Sequence, residues 1–279
     1  MKRSAWTILF AGMLFTTNGF ADAIITSRAM FAATIAEYFI QAGEVRVELE
    51  IGMQDLQAFR NLMPDEIYQK MGNTPKPYRE RVKEFFAQDL VIATENGALS
   101  GQLVEIGPRP RVMRDPITGE ELPVAEEDQE MVIVATLSYA LESKPAKLVI
   151  SPPRANPPPS IGFVVYHNMV AVNDFRYLGQ PLQLNLDWQD PWYSTFDQRT
   201  LRRSYFAPMS GFLYVEPFEV RKEVIVRPKD MQRWVDLGLE GVDYIAADQR
   251  GVILEKISEF LLLLAELFEV MPLFFISLR

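Results

Sequence analysis

The sequence contains no cysteine and a single histidine, His167, and its glycines stand one at a time. The first absence excludes thiol nucleophiles, iron–sulfur clusters, thiolate zinc sites and covalent haem attachment. Scattered glycines leave no loop to cradle a phosphate, and no Gly-x-Ser-x-Gly elbow presents a serine nucleophile. No cofactor is expected. Basic residues are also outnumbered, 28 Lys and Arg against 37 Asp and Glu, and they concentrate only at Arg199, Arg202 and Arg203. Nucleic acid, which needs a strong basic field, is not expected as a partner.

What is present begins with Met1-Lys2-Arg3, an uncharged run from Ala5 to Phe15, and small residues at Gly19, Ala21 and Ala23. That order of basic, apolar and small residues is the pattern of a secretory signal peptide, and its apolar run is short for a bilayer span. Residues 1–21 are therefore set aside, with cleavage after Ala21 or Ala23 fitting equally well, and a periplasmic location is expected. A mature chain of this length can bury enough apolar surface to fold without disulfides.

Strand patterns dominate the remainder. Val45-Arg46-Val47-Glu48-Leu49-Glu50-Ile51 alternates without a break, which predicts one buried and one wet face of an antiparallel sheet. Short helices are predicted at 55–62 and 65–71, and a longer one from Pro77 to about Asp89 with Tyr78, Val82, Phe85 and Phe86 on one side. Strands follow at 90–94, 101–106, 130–141 and 147–150, separated by Asn96-Gly97, Thr118-Gly119 and Lys144-Pro145. The acidic run from Asp115 to Glu130 reads as a solvated loop. The predicted fold is mainly β with a few helices, a β-rich α+β chain with an antiparallel β-sandwich-like body. Its organisation is an N-terminal part (22–150), a proline-rich connector (151–160), a second β-rich part (161–250) and an apolar C-terminal helix (251–279). The connector is either a hinge between subdomains or a long loop over a single sandwich.

The chemistry-bearing residues gather in 161–194. Alternation puts Phe163, Val165, His167 and Met169 on one strand face, Asn173-Asp174 supplies a turn, and Leu182, Leu184 and Leu186 form a second strand of a hairpin. The hairpin ends in Asp187-Trp188-Gln189-Asp190-Pro191-Trp192-Tyr193. His167 is the natural acid–base candidate, with Asp174, Asp187 or Asp190 as a carboxylate partner in a hydrolase. Asp187, Asp190 and Asp197 are the candidate oxygen ligands for a hard cation, although their spacing matches no EF-hand loop. Trp188, Trp192 and Tyr193, with His167, are the candidate binding surface, as aromatic side chains at such corners also fill cores.

The tail has an apolar stripe through Ile253, Ile257, Phe260, Leu264 and Leu267, broken by Glu266 and Glu269. It is too short and too acidic to read as a spanning or surface-lying membrane helix, so membrane association through 252–279 is not favoured as a span. A helix docked on the protein's own core, a partner-docking helix, and the altered end of a truncated or frameshifted gene are the readings that remain.

Residues 173–178 (NDFRYL), 186–194 (LDWQDPWYS), 212–223 (FLYVEPFEVRKE) and 233–238 (RWVDLG) resemble a group of exported Gram-negative bacterial proteins of unknown function. The similarity runs from about Arg46 to Phe260, and the tail from Leu261 departs from a pattern that in the group continues further. The resemblance implies export and a β-rich body, and it brings no catalytic residues. The expected function is a non-enzymatic periplasmic binding or assembly module with a protein partner in the cell envelope. A metal-dependent or carboxylate-based hydrolase, and a peripheral subunit of a membrane complex, are the alternatives.

Overall fold

The computed structural model describes residues 28–113, 122–125, 129–204, 206–242, 245–267 and 274–278. The expected signal peptide and every acidic residue of the run from Asp115 to Glu130 except Glu130 lie outside the described residues. In chain order, β1 (Thr34–Gln41) and β2 (Glu44–Gly52) make a hairpin, followed by a 3-10 segment (Met53–Leu62), α1 (Asp65–Lys70), and α2 (Tyr78–Glu84), which runs into a π-helical turn (Phe85–Asp89). Then come β3 (Val91–Thr94), β4 (Gly97–Ala98), β5 (Gly101–Pro110), β6 (Met131–Ala140) and β7 (Lys147–Ser151). Past the prolines lie β8 (Ile161–His167), β9 (Val170–Ala171), β10 (Arg176–Tyr177), β11 (Leu182–Asn185) and β12 (Thr195–Phe196). The chain finishes with β13 (Met209–Glu216), β14 (Glu219–Val226), α3 (Pro228–Met231), α4 (Arg250–Leu267) and β15 (Phe274–Leu278).

Two sheets enclose the main core. One has seven strands in the order β10-β8-β1-β2-β6-β5 with β9 added on β8, and the other runs β12-β11-β7-β3-β4. The alternation in β2 is realised in space: Val45, Val47, Leu49 and Ile51 are buried, while Arg46, Glu48 and Glu50 face outward. Phe163 on β8 meets Phe196 on β12 edge-to-face at 5.7 Å, which ties one sheet to the other. Tyr139 on β6 does the same at the opposite end, donating its hydroxyl to the Leu90 carbonyl at 2.7 Å. The architecture is mainly β and sandwich-like, as its pattern predicts.

Two details correct the antiparallel expectation. The pairing of β1 with β8 is parallel, and so is that of β14 with β15. Parallel neighbours need a long crossover, and everything from β2 to the proline-rich run supplies it for β8. That run is a loop over one core: β7 before it belongs to the second sheet and β8 after it to the first.

A second, smaller core lies at the C-terminal end. Val224 and Val226 of β14 pack there with Met231, Leu237, Ile253, Ile257 and Leu261. The apolar stripe of α4 thus covers the protein's own third sheet, β13-β14-β15. The tail is not helical throughout, because Phe274–Leu278 pairs as a strand beside β14. Among the described residues, no helix is long and apolar enough to cross a membrane.

Candidate functional site

The stretch 161–194 does not form the hairpin its pattern suggests. Asn168 and Met169 adopt positive φ, 45° and 66°, so the chain reverses immediately after His167 and β9 pairs back onto β8. Met169 therefore sits exposed in the turn and does not share the face of Phe163, Val165 and His167. Leu182 and Leu184 pair instead with β7 and, through Leu184, with β12 in the other sheet. The reason is the side chain of Asn173, which accepts from Val165 N–H and donates to the Phe163 carbonyl, holding the strand exit against β8 rather than opening a turn.

His167 ends β8 fully buried between the sheets. Its Nδ1 lies 2.7 Å from Ser194 Oγ, and that same oxygen accepts from Asp187 N–H at 2.9 Å. The Ser194 hydroxyl can donate to Nδ1, the arrangement that puts the imidazole proton on Nε2, and Nε2 is a buried atom without a hydrogen-bond partner among the described residues. The Trp188 ring closes over the imidazole at 4.4 Å, nearly perpendicular. Burial pushes the imidazole down to about 4, against the pull of the nearby Asp187 carboxylate and with a small contribution from Lys144. None of Asp174, Asp187 and Asp190 hydrogen-bonds to this ring. A sealed neutral imidazole held by a buried serine is a structural group, not an acid–base pair open to substrate.

The three candidate metal ligands are committed elsewhere. Asp187 Oδ1 accepts from the backbone N–H groups of Gln189 and Asp190, both at 2.9 Å, and so makes the turn. Asp190 caps the 3-10 turn Pro191–Tyr193 and forms a two-pronged pair with Arg227 at 2.8 and 2.9 Å. Asp197 accepts from Gln183 and Asn185 at 2.7 and 2.5 Å across β11. Among the described residues no three His, Cys, Asp or Glu side chains come together as a metal site.

The aromatic corner likewise turns inward. Trp188 donates Nε1–H to the Pro145 carbonyl at 2.7 Å. Trp192 lies between two guanidinium groups, Arg203 at 3.9 Å and Arg227 at 4.9 Å from its ring centre. Tyr193 donates to the buried Asp230 at 3.2 Å. Arg227 and Asp230 stand at the start of α3, so Asp190, Trp192 and Tyr193 join the sandwich to the small C-terminal core. Burial raises the Asp190 carboxyl, but the hydrogen bonds and charge of Arg227 outweigh it and leave the group below its ordinary value. The corner expected to hold a partner also links two parts of the molecule, with Trp188, Trp192 and Tyr193 half-buried.

An open cleft lies elsewhere, at the end of the sandwich where β7 leaves its sheet. It encloses about 770 Å³ between the 3-10 segment bearing Arg60, the π-helical turn bearing Gln88 and Asp89, and the proline loop bearing Arg154. The helical wall is fixed by Arg81, fully buried, which donates to the carbonyls of Lys76 and Met63 at 3.1 and 2.8 Å, pairs with Asp65, and stacks between Tyr68 and Tyr78. Asn61 donates to Asp89 Oδ2 at 2.7 Å and locks the two helical segments together. The proline loop is pinned where Ser160 N–H donates to Asp55 at 3.3 Å and its carbonyl accepts from Thr34 at 3.0 Å.

The electrostatics of the cleft differ from those of the groove on the outer face of the large sheet. Arg60 donates only to the Gln57 carbonyl, at 3.2 Å, and neither it nor Arg154 has a carboxylate partner among the described residues. Asp89 is almost buried, with no protein donor on Oδ1; burial raises its carboxyl, opposed by Asn61 and Arg60 and assisted by Glu84. In that groove two of the four lining glutamates are matched by arginines, Glu48 with Arg46 and Glu50 with Arg109 and Arg111. Sequence reasoning missed the cleft because Arg60, Asp89 and Arg154 are far apart along the chain. The one signal was an arginine set among the prolines at 152–159. No protein-family model matches the chain, and no curated protein matches it.

Proposed function

We propose that the protein is an exported, non-enzymatic binding module of the cell envelope whose ligand seats in the cleft between Arg60, Asp89 and Arg154. One observation carries the reading: in a strongly acidic chain, two guanidinium groups that form no ion pair among the described residues line, with a nearly buried carboxyl, an open cleft of about 770 Å³. Ligand sites are concave, of this size, and mark themselves by a few convergent polar groups with perturbed ionisation. The basic and apolar start of the sequence supports export, and the sealed state of His167 supports a role without acid–base chemistry.

The test is native mass spectrometry of the protein purified gently from its own periplasm, beside an Arg60→Ala/Arg154→Ala variant. The expected result is a small bound species on the first and none on the second. A bare protein whose cleft resonances also ignore a periplasmic small-molecule extract overturns the reading.

A second reading, assembly with an envelope protein that adds a strand to β13, rests on a separate observation. This edge strand carries Met209, Leu213 and Val215 exposed on one face, and Phe218 stands wholly exposed at its hairpin tip. A photo-crosslinking residue at position 215 should trap one envelope protein in cells, and Leu213→Lys should abolish that product. Trapping nothing, or an unchanged product, removes this reading.

A further inference from the structure

We infer that the cleft selects a small monocarboxylic acid with an apolar body; this rests on the binding-module reading and names its ligand class. Four prolines, Pro152, Pro153, Pro158 and Pro181, form one side of the cleft. Proline has no N–H, so these four residues offer rigid apolar surface, and donors on this side come from their neighbours, Arg154 among them. Arg60 and Arg154 are the cations lining the cleft. A guanidinium group presents a planar fork of N–H donors that fits a carboxylate with two hydrogen bonds.

Charge balance chooses between carboxylate and phosphate. Of the charged groups lining the cleft two are guanidinium and one, Asp89, is a carboxyl, while the Glu84 carboxylate that also acts on Asp89 is paired with Lys76; with Asp89 ionised the balance is a single positive charge, which a carboxylate neutralises. A phosphate monoester, largely dianionic near neutral pH, brings surplus negative charge next to Asp89. The same Asp89 carries an oxygen, Oδ1, without a protein donor, and it repels any second acidic group placed there. The acidic excess of the whole chain adds to that repulsion, so affinity for a monoanion comes from the local pair of arginines.

The experiment uses the mature protein and four probes of one shape: 3-phenylpropionate, its neutral amide, phenethylammonium and phenyl phosphate. Binding is read from backbone amide shifts at Gln88, Asp89 and Gln180. The expected order is 3-phenylpropionate tightest, phenyl phosphate weaker, and the amide and the cation weaker still by roughly tenfold or more, the usual cost of a lost charged hydrogen bond. Arg154→Ala, at an exposed position that leaves the fold intact, should weaken 3-phenylpropionate by roughly tenfold or more. Asp89→Asn should narrow the gap between phosphate and carboxylate, an effect that a purely structural role for Asp89 does not produce. Equal binding of acid and amide at these amides, indifference to Arg154→Ala, or no binding by any probe overturns the inference. The binding-module reading survives that failure if the periplasmic protein still carries a small species in its mass spectrum, and falls with it if the protein is bare.

Discussion

Acidifying the protein from about pH 7 to about pH 4.5 perturbs His167, the single histidine, and the structure sets the size of the effect. The imidazole is fully buried, and burial holds it down to about 4 in the folded state against 6.5 when free. Its folded value is depressed, so the unfolded chain takes up the proton first. Stability is therefore fully present above the free value and is lost as pH falls between 6.5 and about 4. At about pH 4.5 the gap between the two states amounts to roughly 2 kcal/mol at 1.36 kcal/mol per unit. Urea unfolding of the protein and of His167→Asn across this range isolates the term, because the asparagine oxygen can still accept from Ser194 and cannot titrate. The variant should start less stable, from lost volume, and then lose about 2 kcal/mol less than the parent on acidification. Since there is one histidine in the chain, its ring-proton NMR signal needs no assignment and should titrate near 4. Titration at the free value, or parallel stability curves for the two proteins, would refute a sealed imidazole.

Three further outcomes follow from the packing. Ser194→Ala leaves His167 Nδ1 and Asp187 N–H without their shared partner and should cost about 2 kcal/mol by chemical denaturation, with Ser194→Cys restoring little because a thiol is a weak donor. Arg227→Ala should cost about 2–3 kcal/mol, and hydrogen exchange should quicken in β14 and α4 while β1 and β2 stay protected; uniform quickening would mean that Asp190 and Arg227 are not a joint. The same joint should loosen as pH falls below about 4, since the depressed Asp190 carboxyl gives stability above its free value and loses it on protonation, and Asp190→Asn should remove that dependence. Gly162→Ala should cost about 3 kcal/mol or more, because a Cβ there meets the Ala29 carbonyl oxygen at 1.9 Å; a melting temperature within error of the parent would show that Arg28–Phe31 is not held against β8.

Local pattern made most of the sandwich legible, and non-local pairing is where the reading failed. The burial alternation of β2 and the helices at 65–70 and 78–84 depend on period and capping signals within a few residues. Leu182 and Leu184 were equally legible as a strand, but nothing within them says that β7, rather than β8, is their neighbour. The turn was misplaced for a related reason. Asn173-Asp174 looks like the better turn former than Asn168-Met169, yet the Asn173 amide is occupied across β8 and the reversal moves to the earlier asparagine.

The candidate site divides in the same way. A tryptophan beside an aspartate reads alike from sequence whether it faces a ligand or another part of the chain. Trp192 lies against Arg203 and Arg227, of which Arg227 lies 35 positions away, between β14 and α3 of the second core. The arginine–aromatic–carboxylate set that could grip a partner is satisfied internally by both units it joins, so its polar groups have little left to offer. Arg60 and Arg154 are the opposite case: neither stands in a motif, and among the described residues neither forms an ion pair, in a cleft whose other lining is largely proline. Arginines without ion pairs in a concave place, rather than a concentration of reactive residue types in the sequence, are what the proposed site rests on.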